Sequence, residues 1–312
     1  MFYDRLFIYA FSCCSTLSAI AGSKGVHKDY VINFNETVRT CVSHGESDWG
    51  YFGQISKNLK KTEKKPILFP NDWGVQFYTC EKFRASRHRQ SPVELDQTMK
   101  RQSGGDVNFG SYPGVSFELE HNCHTIQATI KAERSGKAQL RVAGVPYRLL
   151  QFHIHTPSEH IIDTGEHGAI NYPMELHFVH GAVNPDGSTD SSRLAVVGVF
   201  LDVAKKGQDI DLSGDKVIGS MIEHYEPSHK NHAFPPTNLN GLFSKKKEGY
   251  YRYKGSLTTP PCSEIVEWIV LKQPILLKQD TFKKLQLKKM DVGFANARPA
   301  FVPTPQHKVR LY

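Results

Sequence analysis

The stretch Gln151-Phe152-His153-Ile154-His155 alternates polar and apolar residues with a period of two. That alternation fits an extended strand, with Gln151, His153 and His155 on one face and Phe152 and Ile154 on the other. A second run, Glu175-Leu176-His177-Phe178-Val179, repeats the pattern, with Glu175, His177 and Val179 facing one way and Leu176 and Phe178 the other. Two imidazoles from the first strand and a third from the second can then aim at one point. Three histidines from two strands, with no fourth protein ligand in view, is the composition of a catalytic zinc site that leaves one position open to water. The plain alternative is a solvated polar face. Against it, Gln151 stands two residues before His153 and Glu175 two before His177, where each side chain can accept the ring's other N–H and fix its tautomer.

The rest of the chain points to a sheet. From Val107 onward, short apolar or alternating runs at Val115–Leu119, Ile126–Ile130, Leu140–Val142, Tyr147–His155, Glu175–Val179, Leu194–Val203 and Ile265–Leu271 are separated by Gly, Pro, Asn and Asp clusters. Helical patterning is sparse, with Lys216–Glu223 and Gln279–Leu287 the best stretches and both modest. The expected fold is mostly β with short helices (α+β), one domain around a large sheet. At 312 residues, 39% hydrophobic and 22% charged, the chain can bury the core this needs.

The ends and the cysteines indicate a compartment. Arg5 followed by the apolar and small-residue run Leu6–Ala21 reads as a secretory signal over 1–21, cleaved after Ala21. An uncleaved anchor is the alternative, but Ser12, Ser15, Thr16 and Ser18 dilute the run. Residues 22–46 read as a polar N-terminal extension, 47–305 as the domain and 306–312 as a C-terminal tail. No apolar stretch near that tail offers a membrane span or a glycolipid-anchor signal. A secreted, extracellular protein is expected. Asn35-Glu36-Thr37 is a glycosylation sequon at Asn35. Cys13 and Cys14 would leave with the signal, so Cys41, Cys80, Cys123 and Cys262 remain, and four cysteines in an oxidising compartment allow three pairings.

The net charge of +8 is concentrated in Lys57–Lys65 and Lys245-Lys246-Lys247. With little aromatic interleaving and no nucleic-acid motif, a nucleic-acid partner is not expected. Solvated loops are the main reading, and attraction to anionic polysaccharide or extracellular matrix the secondary one.

The chain resembles the α-class carbonic anhydrases of secreted type from about Trp49 to Pro299. Gln90-Ser91-Pro92, Gln151-Phe152-His153-Ile154-His155, Ser158-Glu159-His160, Glu175-Leu176-His177-Phe178-Val179-His180 and Gly255-Ser256-Leu257-Thr258-Thr259-Pro260-Pro261 occur in that family's order. The resemblance implies a mainly antiparallel, ten-stranded twisted sheet with a conical active-site cleft. It implies zinc on His153, His155 and His177, with Gln151, Glu175 and the backbone carbonyl of Asn296 orienting the rings. Thr258 would accept a hydrogen bond from zinc-bound hydroxide while donating its own to Glu159, because a hydroxyl does both at once.

By the same resemblance Thr259 would help seat bicarbonate, and Val179, Val196, Leu257 and Val266 would form the apolar pocket for carbon dioxide. His124 aligns with the proton shuttle, since imidazole titrates near neutrality. Tyr51 and Asn122 match positions that organise its water chain, and Gln127 stands where many members have asparagine. Cys80 and Cys262 match the disulfide of secreted members, while Cys41 and Cys123 either pair or leave Cys41 to join two chains. The implied activity is reversible hydration of carbon dioxide to bicarbonate and a proton; supply of bicarbonate for biomineralization is a role known within the family. The alternative is a non-catalytic relative serving as an extracellular matrix or binding protein. Such members commonly lose a zinc histidine, and this chain keeps three.

Overall fold

The structure is a computed structural model and describes residues 70–81, 88–122, 124–131, 139–225, 232–290 and 295–312. The signal segment, Asn35, Cys41, Tyr51, Lys57–Lys65 and Cys123 lie outside the described residues.

In chain order the elements are α1 (Trp73–Gln76), β1 (Glu94–Asp96), β2 (Val107–Asn108), β3 (Val115–His121), β4 (Ile126–Ile130), β5 (Gln139–Val142), β6 (Val145–His155) and β7 (Ile161–Asp163). They continue with β8 (Ala169–Ile170), β9 (Met174–Val183), β10 (Thr189–Val203), α2 (Leu212–His224) and β11 (His232–Thr237). The last are β12 (Tyr250–Gly255), β13 (Val266–Leu271), β14 (Ile275–Leu277), α3 (Gln279–Met290) and β15 (Arg310–Leu311).

The main sheet runs β11-β3-β4-β6-β9-β10-β13-β12-β15, with β14 beside β10, β5 beside β6 and β2 beyond β5. Among the described residues that is twelve strands where the resemblance implied ten, and a separate sheet β1-β7-β8 adds three more. The surplus comes from strands as short as β2 and β15, two residues each, too short for alternation to register in a sequence. Most pairings in the main sheet are antiparallel, but β10 pairs in parallel with both β13 and β14. Arg310–Leu311, within the stretch read as a tail, pairs with β12.

Alternation along β6 and β9 separates two cores. Phe152, Ile154, Leu176 and Phe178 join Val197 and Val199 of β10 in one cluster, closed by Val217, Ile218 and Ile222 of α2 and by Phe282 and Leu285 of α3. Val196, Val266, Trp268 and Val270 belong to a second cluster. The apolar faces of α2 and α3 thus hold the sheet from behind, and the histidines lie on the side away from them.

His180 belongs to the first core and is wholly buried. Its Nδ1 donates to the Phe178 carbonyl at 2.8 Å, and its Nε2 accepts from the Tyr112 hydroxyl at 2.9 Å. Both ring nitrogens are satisfied only in the neutral form, and burial lowers the pKa from 6.5 to about 4. A histidine held neutral in the fold but free to charge when unfolded costs stability as the pH falls through the window between those two values. The loss expected from this residue is about 3 kcal/mol between neutral pH and pH 4. Urea unfolding at a series of pH values should therefore give a shallower pH dependence for His180→Gln than for the parent chain. Parallel curves would refute this.

Candidate metal centre

Antiparallel pairing of β6 with β9 sets His153 opposite His177 and Ile154 opposite Leu176. This register places the three rings on one face, with centroids 4.9 Å (His153–His155), 5.3 Å (His153–His177) and 4.5 Å (His155–His177) apart. One ligand nitrogen from each ring lies within 4.8 Å of the others.

Hydrogen bonds decide which nitrogen is free on each ring. His153 Nδ1 meets Gln151 Oε1 at 2.8 Å, His155 Nδ1 meets the Asn296 carbonyl at 2.6 Å, and His177 Nε2 meets Glu175 Oε1 at 3.0 Å. These partners accept, so the named nitrogens carry the protons. The lone pairs then sit on Nε2 of His153 and His155 and on Nδ1 of His177. Burial holds the pKa of His155 well below the ordinary histidine value and that of His177 below it, so both stay in the neutral form a metal requires.

His155 Nε2 is buried with no hydrogen-bond partner. Such an acceptor costs about 1–3 kcal/mol unless something occupies the space it faces. Three imidazole nitrogens aimed at one point, one of them orphaned, fit a divalent cation that favours nitrogen ligands, zinc above all.

Glu175 is the anchor of the assembly. Its Oε1 accepts from His177 Nε2 and from His160 Nδ1 at 2.7 Å, and its Oε2 accepts the backbone N–H groups of Glu159 and His160, both at 2.9 Å. Burial alone would push its carboxyl up, but His160 and His177 more than reverse this and hold it well below the usual carboxylate range. His160 in turn meets the Tyr253 hydroxyl at 2.7 Å, which donates to Ser91 Oγ at 3.0 Å. The chain of partners behind His177 therefore reaches β12.

This carboxylate has room because Gly198, opposite His177 on β10, has no side chain. A Cβ there would meet Glu175 Oε1 at 2.7 Å, too close for either group to stay in place. Gly198→Ala is expected to displace Glu175 and weaken metal binding roughly 10- to 100-fold. Competition against a chelator measures this, and an unchanged affinity would count against it.

Glu159 is buried beside the same point. Its Oε1 accepts the backbone N–H of Arg298 at 2.8 Å, while Oε2 lies 3.5 Å from His155 Nε2 and 3.8 Å from His177 Nδ1. Burial pushes its pKa up to about 8, opposed by the Arg298 N–H and by the Thr258 side chain. A cation at the centre of the three rings would favour the ionised carboxylate.

The buried Arg298 guanidinium donates to Gln90 Oε1 at 3.0 Å, to the Ser91 carbonyl at 2.8 Å and to the Cys80 carbonyl at 3.1 Å. Arg298 thus ties the backbone that holds Glu159 to the segment before β1. Sequence reasoning assigned no role to Arg298, Gly198 or His160. A buried arginine and a strand glycine acquire meaning only from what lies beside them, although His160 stood inside a motif already singled out.

His124 is half-buried in the turn between β3 and β4. Its N–H donates to Asn122 Oδ1 at 3.1 Å, and its carbonyl accepts from Asn296 Nδ2 at 3.0 Å. Asn296 therefore binds the His155 ring through its carbonyl and the His124 backbone through its side chain. Asn122 Nδ2 donates to Gln127 Oε1 at 3.1 Å, and Gln127 pairs with His153 across β4 and β6.

Val196 and Val266 are buried in the second core, with Val179 and Leu257 packed half-buried against it. Thr258 is buried and Thr259 half-buried in the loop that leads to Cys262. Cys262 forms a disulfide with Cys80, with Cα atoms 5.1 Å apart.

Comparison with known proteins adds the lineage of this arrangement. The profile of the eukaryotic-type carbonic anhydrases matches residues 68–299. A carbonic anhydrase of Klebsiella pneumoniae is 33% identical over 242 residues, covering 76% of this chain and 82% of that protein. The solved α-carbonic anhydrase of Thermovibrio ammonificans, in complex with the inhibitor sulfanilamide, superposes with a TM-score of 0.61 at 27% identity, covering 86% of this chain and 99% of the other. That of Photobacterium profundum gives a TM-score of 0.58 at 31% identity, covering 81% and 98%.

Proposed function

The chain belongs to the eukaryotic-type carbonic anhydrase family, and on that premise we propose that it is a secreted zinc enzyme interconverting carbon dioxide and bicarbonate. The observation that carries this reading is the convergence of three imidazole nitrogens, each with its other nitrogen already committed to an acceptor. When bound there, zinc would act as a Lewis acid that makes water nucleophilic at neutral pH, chemistry for which carbonic anhydrases are themselves the standing example.

The protein groups do the rest. Gln151, Asn296 and Glu175 hold the rings in the tautomers that face the centre. The Arg298 N–H occupies Glu159 Oε1 and leaves Oε2 on the side of the histidines. If Thr258 donates a hydrogen bond from its hydroxyl to that carboxylate, its oxygen accepts from the attacking water, and the water's remaining lone pair points away from Thr258. Val179, Val196, Leu257 and Val266 offer an apolar wall against which an uncharged substrate rests without desolvation cost, and Thr259 would receive bicarbonate. His124 would pass the released proton to buffer.

Stopped-flow hydration of carbon dioxide by the zinc-loaded protein, before and after chelation, tests the proposal. Activity lost with the metal, restored by zinc and blocked by a sulfonamide is the expected result. No hydration above background in a zinc-loaded sample with its disulfide formed would reject it.

A further inference from the structure

At the edge of the main sheet near β12 and β15, away from the histidines, lies an open groove of about 550 Å³. That is within the size range of small-ligand sites. Arg101, Lys246, Lys247, Phe109, Tyr250 and Tyr312 line it, with Gly104 and Gly105 at the rim. The Arg101 guanidinium donates to the Lys247 carbonyl at 3.3 Å, which sets the arginine against the last turn of the 3-10 helix Leu239–Lys247, where the sequence pattern suggests a loop.

The charges here differ from those nearby. Lys245 is paired with Asp211 at 3.4 Å and Glu248 at 3.3 Å, and Arg252 is paired with Glu267 and Asp106. Among the described residues no carboxylate lies within ion-pair distance of Arg101, Lys246 or Lys247. Three cations with no side-chain carboxylate in ion-pair distance repel one another, and an anion laid along them relieves that repulsion.

The ring chemistry narrows the ligand. Phe109 and Tyr250 are both 7% exposed, and Tyr250 is stacked on Tyr312 with centroids 5.4 Å apart. Two of the three aromatic rings therefore present no open face for a nucleobase to stack on, the feature by which single-stranded nucleic acid is usually held. What the groove presents is repeated positive charge along an open surface.

We infer that this groove binds an acidic polysaccharide, whose sulfate or carboxylate groups sit on Arg101, Lys246 and Lys247. The inference stands apart from the catalytic reading and gives Lys246 and Lys247 a ligand class.

The test uses the full chain on immobilised heparin and in calorimetric titration with heparin, with hyaluronan and with a single-stranded DNA oligonucleotide of matched charge. The variant Arg101→Gln/Lys246→Gln/Lys247→Gln is compared with Lys206→Gln/Lys283→Gln/Lys284→Gln, which removes the same charge from exposed positions elsewhere. Circular dichroism verifies the fold of both.

Wild type and control should stay bound to one of the two polysaccharides at about 0.15 M salt, and the groove variant should bind it at least tenfold more weakly. The groove variant's log Kd against log salt slope should also be flatter by about two to three. Which polysaccharide binds separates sulfate from carboxylate recognition. If the triple variant does not fold, the exposed single change Lys247→Gln should flatten that slope by about one unit. The inference is overturned if neither polysaccharide is retained by wild type at that salt, if the control variant weakens as much as the groove variant, or if the DNA binds as tightly as the better polysaccharide.

Discussion

His177→Ala is expected to leave the purified protein without tightly held zinc and to lower carbon dioxide hydration at least a hundredfold. Loss of an outer partner of a metal ligand alone costs roughly 10- to 100-fold in affinity or activity, and this change removes the ligand itself. Two imidazoles remain, and the buried Glu175 carboxylate loses the His177 donor while keeping His160 and the two backbone N–H groups. The carboxylate thus stays largely satisfied, and the damage should fall on metal retention more than on folding. Metal content after dialysis, read beside the stopped-flow rate and the circular dichroism spectrum, tests this. A variant that keeps both zinc and rate would remove His177 from the centre and with it the proposed chemistry.

The second large effect is expected on stability. Cys80 and Cys262 are separated by 182 residues in sequence and are buried together beside Trp73. Closing so long a loop removes much of the freedom of the unfolded chain, for which the entropic account gives about 5 kcal/mol. That is a large part of the 5–15 kcal/mol by which folded domains are stable. Cys80→Ser/Cys262→Ser should therefore unfold at much lower denaturant than the parent, and a reductant should shift the parent toward the double variant while leaving the double variant unchanged. The same bond fixes the segment before β1 to the loop that carries Thr258, four residues ahead of Cys262. Hydration activity should accordingly decline in the variant below the onset of unfolding. Coincident denaturation curves for the two proteins would show that the cross-link adds no stability.

The strands that carry the centre were legible because a half-buried strand writes its two faces directly into sequence. Ile126–Ile130 matched an expected run residue for residue, and β6, β9, β10 and β13 enclosed or closely matched theirs. Both expected helices formed, each running somewhat beyond its patterned core, as Leu212–His224 and Gln279–Met290. The shortest strands were not legible, since two residues hold no period. Nor was the parallel placement of β13 and β14 beside β10, which joins segments more than 60 residues apart.

Local pattern, then, was enough to put His153 and His155 on one strand face, to put His177 on another, and to stand Gln151 and Glu175 where they meet His153 and His177, because a strand's alternation is a property of neighbouring residues. Pattern could not say that His153 would lie opposite His177, that Gly198 would leave space for Glu175, that Arg298 would brace Glu159, or that Arg101 would join Lys246 and Lys247 around one groove. Those are matters of register and packing between distant segments. They are settled only when the whole sheet closes, by the burial of both its faces and by the pairing of most of the hydrogen-bonding groups that burial encloses, His155 Nε2 being one that stays open.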